Sequence, residues 1–193
     1  MKKFLLLILS AISFFIFSSC SKIYYGYLPG TGYKIYKLSK SYDLKKIHYD
    51  LEVSDKRINI NQIECYNEKI DRDTELEGAL GLKLLQESIE QSIKNSNGEI
   101  DNKSDEKIEV KLQAISFELV GFGFLVVHGF VQFEVFHNGK SKIYCSDMTD
   151  QDDDSPLSWY SLVTRKTGSR LILSGSLKRA TESFIKDLEA GNI

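Results

Sequence analysis

Residues 131–148 read VQFEVFHNGKSKIYCSDM, and this stretch predicts a β-hairpin. Hydrophobic side chains occupy every second position from Val131 to Val135, which is the period of a strand with one buried face. Asn138-Gly139 supplies the two residue types that most readily adopt the positive φ angles of a tight hairpin turn. We therefore expect Phe133 to lie between the sheet and the helices, and Gln132 to lie on the opposite, exposed face.

Further strands are predicted upstream of this hairpin. Alternation from Lys107 to Ala114 indicates a strand, and the opposite parity from Ile115 to Leu119 indicates that this strand bulges or is buried on both faces. The same period marks residues 47–53. Hydrophobic residues at 58–65, with a change of parity near Gln62, suggest a second strand after it.

Two stretches carry the three-to-four-residue hydrophobic spacing of amphipathic helices. The first is predicted to begin at Asp73 or Thr74 and to end near Gly98, which suits a left-handed cap. The second runs from about 169 to 189, and Gly175 within it indicates a close approach to the sheet. The order ββ-α-βββ-α predicts an α+β fold, a two-layer sandwich in which two helices pack on a mostly antiparallel sheet.

The first twenty residues predict a lipoprotein signal. Lys2-Lys3 precedes an apolar run, Phe4–Phe17, that is shorter than the ~20 residues a spanning helix needs. Ser18-Ser19 is small enough for a signal peptidase, and Cys20 then stands where a bacterial lipoprotein is acylated. An ordinary signal peptide with an incidental cysteine is the alternative.

Cleavage before Cys20 divides the chain into a signal peptide (1–19), a lipidated cysteine with a tether (20–42) and a single domain (43–193). The tyrosines of the tether suit the headgroup zone of a bilayer, and packing of these rings on the domain is an equally open alternative.

Loss of two lysines with the signal peptide leaves 23 basic against 27 acidic residues, a net charge of −4. This balance disfavours nucleic acid as a partner and gives no polybasic membrane patch.

Besides Cys20 the chain contains Cys65 and Cys145. Each follows an isoleucine by two positions, so in strands each would share a face with an apolar neighbour. An oxidising envelope permits a disulfide, but the sequence does not reveal whether the two Cα atoms lie within ~7 Å. A Cys65–Cys145 disulfide and two separate core thiols both remain open.

Five aspartates are the nearest approach to a metal site, because hard oxygen ligands suit Ca²⁺. They are Asp147, Asp150, Asp152, Asp153 and Asp154. An EF-hand counted from Asp150 would need glycine at Ser155 and glutamate at Ser161, so the motif fails. We expect a solvated turn, with no metal and no cofactor.

The sequence shows no catalytic constellation. His48, His128 and His137 lack the spacing of metal ligands. Ser176 is not surrounded by the Gly-x-Ser-x-Gly motif, so a small residue on a packed helix is expected there. A hydrolase that uses Ser176 or Asp152 is the least favoured interpretation, and we expect no enzymatic activity.

Phenylalanines concentrate around the β-hairpin, where most are expected in the core. Those near the upstream turn form, in one interpretation, an exposed apolar rim that binds a partner protein or a lipid. They are Phe122, Phe124 and Phe130.

Three segments resemble parts of small bacterial envelope lipoproteins of the YajG, ABC-transport auxiliary and LptE-like types. They are the first-strand segment Val53–Arg57, the helix leading to a glycine at Leu85–Gly98, and the hairpin Gly129–Lys142 with its polar turn. The resemblance implies a non-enzymatic accessory or scaffold protein. Its partners would be the membrane, through Cys20, and an envelope protein or lipid.

The region after Cys20 bears on location. Ser21-Lys22-Ile23 contains no acidic run of the kind that some surface-exported lipoproteins carry. We therefore expect the protein at the outer membrane, facing the periplasm. A surface-exposed ligand-binding or antigenic lipoprotein is the alternative.

Overall fold

The computed structural model describes residues 24–57, 78–120, 126–157 and 165–193. The elements in these ranges are β1 (Tyr24–Tyr27), β2 (Lys34–Tyr36), β3 (His48–Asp55), α1 (Gly78–Asn95), β4 (Glu99–Ile100), β5 (Lys107–Val120), β6 (Val126–His137), β7 (Lys140–Thr149) and α2 (Arg165–Glu189). The strand predicted at 58–65 and the helix start predicted at Asp73 or Thr74 lie outside the described residues.

Five strands form one sheet in the order β4-β3-β5-β6-β7. Strand β3 pairs in parallel with β4 and β5, whereas β5, β6 and β7 form a long antiparallel meander. Asn138 and Gly139 connect β6 to β7 with φ angles of 48° and 75°, as the hairpin prediction requires. The predicted α+β class, with helices on a mostly antiparallel sheet, is confirmed.

The core lies between the sheet and the two helices. Phe133 is fully buried (0 % exposed), and its ring stacks on Tyr144 at 5.8 Å and meets Phe184 of α2 edge-on at 6.5 Å. The predicted stripe of α2 is buried as well: Leu173, Leu177, Ala180, Phe184 and Leu188. The position predicted for Phe133 is therefore confirmed.

The second face of the sheet differs from the prediction at Gln132. This side chain is only 2 % exposed, and its amide donates to Gln113 Oε1 at 2.8 Å. Strand β5 bulges between Leu112 and Ala114, and Ala114 to Ser116 are buried in succession, so both predicted consequences of its parity change occur. The expectation that Gln132 is exposed is wrong because alternation separates two faces without saying which of them meets solvent.

The segment predicted as a tether is folded from Tyr24 onward. Strands β1 and β2 form an antiparallel hairpin, and Leu28, Tyr33 and Ile35 belong to the core. The Lys34 backbone N–H donates to Ser174 Oγ of α2 at 3.2 Å. Tyr33 and Tyr36 are therefore packed on the domain, whereas Tyr27 remains 55 % exposed, and the folded unit includes residues before the predicted boundary at 43.

The end of α1 also differs from the prediction in one residue. Asn97, and not Gly98, takes the left-handed conformation, with φ of 59°. A Cβ at Gly98 would lie 2.8 Å from Ile93 Cγ2 and 3.1 Å from Leu44 Cδ1, so glycine is needed there for space. Gly175 meets its prediction, because a Cβ there would lie 3.2 Å from Pro156 Cδ and would overlap Met148 Sδ of β7.

Candidate functional site

Most of the predicted site residues lie outside the described residues. This holds for Cys20, Cys65, Phe122 and Phe124, so lipidation, the disulfide and the apolar rim stay predictions. Cys145 lies half-buried in β7. Phe130 is 2 % exposed, and its ring meets the His128 ring edge-on at 5.5 Å. The assignment of Phe130 to an exposed rim is therefore wrong, because the ring is buried in the sheet.

The acidic loop between β7 and α2 is held by a single arginine. Arg179 of α2 lies with Nη1 2.7 Å from Asp152 Oδ2 and also contacts the Asp154 carboxylate. The same guanidinium donates to the Asp147 carbonyl at 2.7 Å, and Thr149 Oγ1 donates to Asp152 at 2.8 Å. These contacts tie β7 to α2, so the aspartates have a structural role, and no metal-binding cluster occurs in the described ranges.

These contacts change the acidity of the loop. Hydrogen bonds from Arg179 lower the pKa of Asp154. Burial acts to raise the pKa of Asp152, but hydrogen bonds from Thr149 and Arg179 outweigh it and lower that pKa as well. A carboxylate whose folded pKa is depressed stabilises the fold above its ordinary pKa, and this contribution disappears as the pH falls through the folded value.

We expect Arg179→Met to lower the free energy of unfolding at pH 7 by about 1 kcal/mol, a value near the upper end for partly exposed ion pairs. Below the ordinary aspartate pKa of about 4 the unfolded chain takes up protons, so the difference from the unaltered protein should shrink, and it should vanish as the pH falls through the lowered pKa values of folded Asp152 and Asp154. Urea unfolding at a series of pH values measures this. Lys94→Met, which breaks the exposed α1 pair with Glu90, is the matched control. If Arg179→Met lowers the free energy of unfolding by the same amount at every pH, the cause is lost packing and not lost charge.

The three histidines lie in three separate environments. The His128 side chain is 4 % exposed, with Nε2 3.4 Å from Asp147 Oδ2 and Nδ1 3.7 Å from Glu118 Oε1. His137 Nδ1 lies 2.8 Å from the Lys107 carbonyl oxygen. His48 is exposed beside Glu99. Each of the three rings therefore contacts a different set of partners.

The Ser176 hydroxyl is occupied as well. It is fully buried, and it donates to the Ser146 carbonyl oxygen of β7 at 2.7 Å. The hydroxyl therefore fixes α2 against the neighbouring strand, which agrees with the expected small residue on a packed helix.

A cleft of about 270 Å³ opens on the sheet where β3, β5 and the β6–β7 turn meet. Its lining comprises Asp50, Glu52, Lys107, Ile108, Glu109, Phe136, His137, Asn138 and Gly139. Leu51 and Val110, the strand neighbours of Glu52 and Glu109, pack in or against the core beneath the helices. The acidic side chains therefore project from the opposite face of the sheet.

The cleft combines carboxylates, the Lys107 ammonium, and the rings of Phe136 and His137. Parallel pairing sets Glu52 beside Glu109, and Lys111 Nζ lies 3.3 Å from Glu109 Oε1. The same ammonium lies 3.8 Å from the centroid of the Phe136 ring, which is a close cation–π contact. This arrangement suits non-covalent recognition of a polar, mixed-charge surface.

Sequence reasoning missed this cleft. The alternation of β3 and β5 assigns the carboxylates to the polar faces of two strands. That Glu52 stands beside Glu109 follows from parallel pairing across a helical crossover, and the sequence carries no local signal for that pairing.

No model of a known protein family matches the sequence, and a search of curated proteins also found no match. Among solved structures, the chain is similar to protein XCC0632 of Xanthomonas campestris, a DUF330 protein, with a TM-score of 0.50 and 10 % identity over 81 % of this chain and 91 % of that one. The likeness shows a shared fold. A minor lipoprotein from Acinetobacter baumannii is more distant, with a TM-score of 0.42 and 7 % identity over 75 % of this chain and 92 % of that one.

Neither α1 nor α2 is long and apolar enough to cross a bilayer.

Proposed function

We propose that this protein is a lipid-anchored lipoprotein of the bacterial cell envelope, with a non-enzymatic role as an accessory or partner-binding protein. The observation that carries the proposal is the sequence that ends at Cys20, with its basic start, apolar run and small residues before the cysteine. The structure supports it in one respect. The first described strand, β1, begins at Tyr24, so acyl chains on Cys20 would tie the domain to a membrane with three residues, 21–23, between the cysteine and this strand.

Metabolic labelling with a palmitate analogue, followed by mass spectrometry of the amino-terminal peptide, tests the anchor. We expect the peptide to begin at Cys20 and to carry the mass of a diacylglyceryl group. A mature chain that begins elsewhere, or an unmodified Cys20, would contradict the proposal.

We place the protein at the outer membrane with its domain facing the periplasm, because the residues after Cys20 contain no acidic run. Protease treatment of intact cells, compared with cells whose outer membrane has been permeabilised, separates this location from the surface-exposed alternative. Digestion only after permeabilisation is the expected result. Digestion in intact cells would favour a surface-exposed ligand-binding lipoprotein.

The cleft beside Glu52 is the best-supported surface for a partner among the described residues. It is concave, it carries charges of both signs, and it lies on the sheet face that α1 and α2 leave uncovered. The turn with Phe122 and Phe124 remains a second candidate on the basis of its sequence.

We expect Glu52→Arg to reduce crosslinking to a partner in cells while leaving the free energy of unfolding within about 0.5 kcal/mol. Glu52 is exposed and lies beside Glu109, so the new guanidinium reverses the charge of the cleft wall without burying a charge. Mass spectrometry of crosslinked complexes and urea unfolding are the two measurements.

Lys83→Glu is the control, because Lys83 is exposed on α1, in the other layer of the fold. It should retain the crosslinks of the unaltered protein. If Glu52→Arg retains them too, the cleft is not the binding surface. Replacement of Phe122 and Phe124 by serine would then be the next test.

A further inference from the structure

We propose that the β1–β2 hairpin lies on the membrane surface and holds the domain in one orientation relative to the lipid headgroups. The inference rests on the proposed acylation of Cys20, and it adds a protein surface that contacts the bilayer. The contact is assigned to the tyrosine–lysine patch, which consists of Tyr24, Tyr27 and Lys34.

The three side chains of the tyrosine–lysine patch form one connected group. Tyr27 and Lys34 are register partners, and the Lys34 ammonium lies 5.0 Å from the Tyr24 ring and 5.9 Å from the Tyr27 ring. The two rings meet edge-on at 4.9 Å, and their hydroxyl oxygens lie 2.6 Å apart. Tyr27 is nevertheless 55 % exposed, more than Ile47, the other exposed large hydrophobic residue in the described ranges.

Two further cations lie over the rings of neighbouring tyrosines. Lys37 Nζ lies 5.9 Å from the Tyr25 ring, and the Arg170 guanidinium of α2 lies 5.7 Å from the Tyr33 ring. Within the described ranges, neither of them nor Lys34 has a carboxylate within ion-pair distance. A protein whose mature net charge is negative therefore presents positive charge here, which complements anionic lipid headgroups.

Tyrosine and lysine side chains are suited to the headgroup zone of a bilayer. A tyrosine ring buries its apolar body among the upper acyl chains and keeps its hydroxyl in the headgroup layer. A lysine lays its aliphatic stem along apolar surface and keeps its ammonium in water or beside phosphate. The patch presents both types on the β1–β2 hairpin, where Tyr27 is exposed and Tyr24 and Lys34 are half-buried.

Chain length brings the patch to the bilayer. Tyr24 is the fourth residue after Cys20, so the two Cα atoms are at most ~14 Å apart in any conformation. The hairpin is fixed to α2 by the hydrogen bond from the Lys34 N–H to Ser174 Oγ. A few residues later in the chain, the Lys40 N–H donates to Glu182 Oε1 at 3.0 Å. Acyl chains on Cys20 would therefore hold the hairpin close to the membrane. Among the described elements, β1 is joined to Cys20 by the shortest length of chain.

The test reconstitutes the acylated full-length protein in vesicles of phosphatidylcholine and phosphatidylglycerol, ~7:3, with brominated acyl chains that quench nearby indoles. The single native tryptophan is first removed by Trp159→Phe. Tyr27→Trp then places an indole in the patch. The control is Ser141→Trp at the start of β7, which is exposed.

The control site, Ser141, lies far from the β1–β2 hairpin, because the two contact opposite ends of the α2 region. Lys140, beside Ser141, donates to the Gly191 carbonyl oxygen, whereas the hairpin bonds to Ser174. At 1.5 Å per helical residue these points lie ~25 Å apart. An indole at Ser141 should therefore remain in water while one at Tyr27 enters the interface.

We expect quenching of the Tyr27→Trp indole by roughly twofold or more, and little or none for Ser141→Trp. Lys34→Glu together with Lys37→Glu should weaken the quenching at Tyr27, while circular dichroism shows an intact fold. Equal quenching at both sites, or none at Tyr27, in protein whose mass confirms acylation would overturn the inference. If the acyl mass is missing from Cys20, the proposed function itself has failed.

Discussion

Replacing Phe133 by alanine is expected to lower the free energy of unfolding by about 3–5 kcal/mol. The ring is fully buried and touches aromatic partners from β7 and α2, Tyr144 and Phe184. Alanine would leave a cavity between the sheet and α2, and neighbours of this size fill such a cavity only in part. Since small domains are stabilised by about 5–15 kcal/mol, this is a large share of the total, and urea unfolding measures it.

Phe136→Ala is the matched control, because it removes the same side chain from the same strand. Phe136 is only partly buried and projects from the opposite face of the sheet, where Lys111 covers its ring. We expect a loss of about 1 kcal/mol. Equal losses for the two variants would show that the assignment of faces in β6 is wrong.

Gln132→Ala is expected to destabilise the fold, because Gln132 is buried. Its amide bonds to Gln113 in a buried position, and removal of one partner leaves the other unsatisfied. A loss of about 1–3 kcal/mol is expected, less than that of Phe133→Ala.

Cys20→Ser is expected to move the protein from the membrane fraction to the soluble fraction. Two or more acyl chains supply most of the membrane affinity in the proposed anchor, at ~0.8 kcal/mol per buried CH₂ group. The tyrosine–lysine patch alone contributes only a weak association that salt screens. Fractionation of cells, with a high-salt wash of the membranes, measures the distribution.

The control for this variant is Ser141→Ala, an exposed substitution that should remain with the membranes. If Cys20→Ser still sediments with membranes after the high-salt wash, the protein is not held by lipid at this cysteine. A second protein or an uncleaved apolar segment would then have to supply the attachment.

The strands of the meander were predictable because their sequences alternate clearly and Asn138-Gly139 fixes one turn. Two features of the fold were not predictable in this way. The β1–β2 hairpin consists of tyrosines and glycines that suit either a loop or a strand, so its packing on α2 decides its structure. The parallel pairing of β3 with β5 depends on the crossover through α1, for which the strand sequences contain no local signal.

The candidate sites show the same limit. The sequence predicts a solvated turn at the acidic loop, but the partner of the loop, Arg179, lies 25 residues beyond Asp154, and no local signal assigns it. The nearness of Phe130 to a turn and the place of Gln132 on the polar face of its strand both suggest exposure, but neither feature measures burial, and both side chains are buried. Glu52 and Glu109 come together only when the sheet is assembled.

In the proposed lipoprotein, the contacts between the β1–β2 segment and α2 would also determine when the domain can close during export. Lys34 and Ser174 are 140 residues apart in sequence, and Asp43 and Glu189 are 146 apart. A chain that is translocated from its amino terminus presents the hairpin first and α2 last, so Leu28 and Tyr33 stay uncovered until nearly the whole chain has crossed. Acylation at Cys20 would thus precede folding, and the membrane would hold one end of the chain while the other end arrives to complete the core.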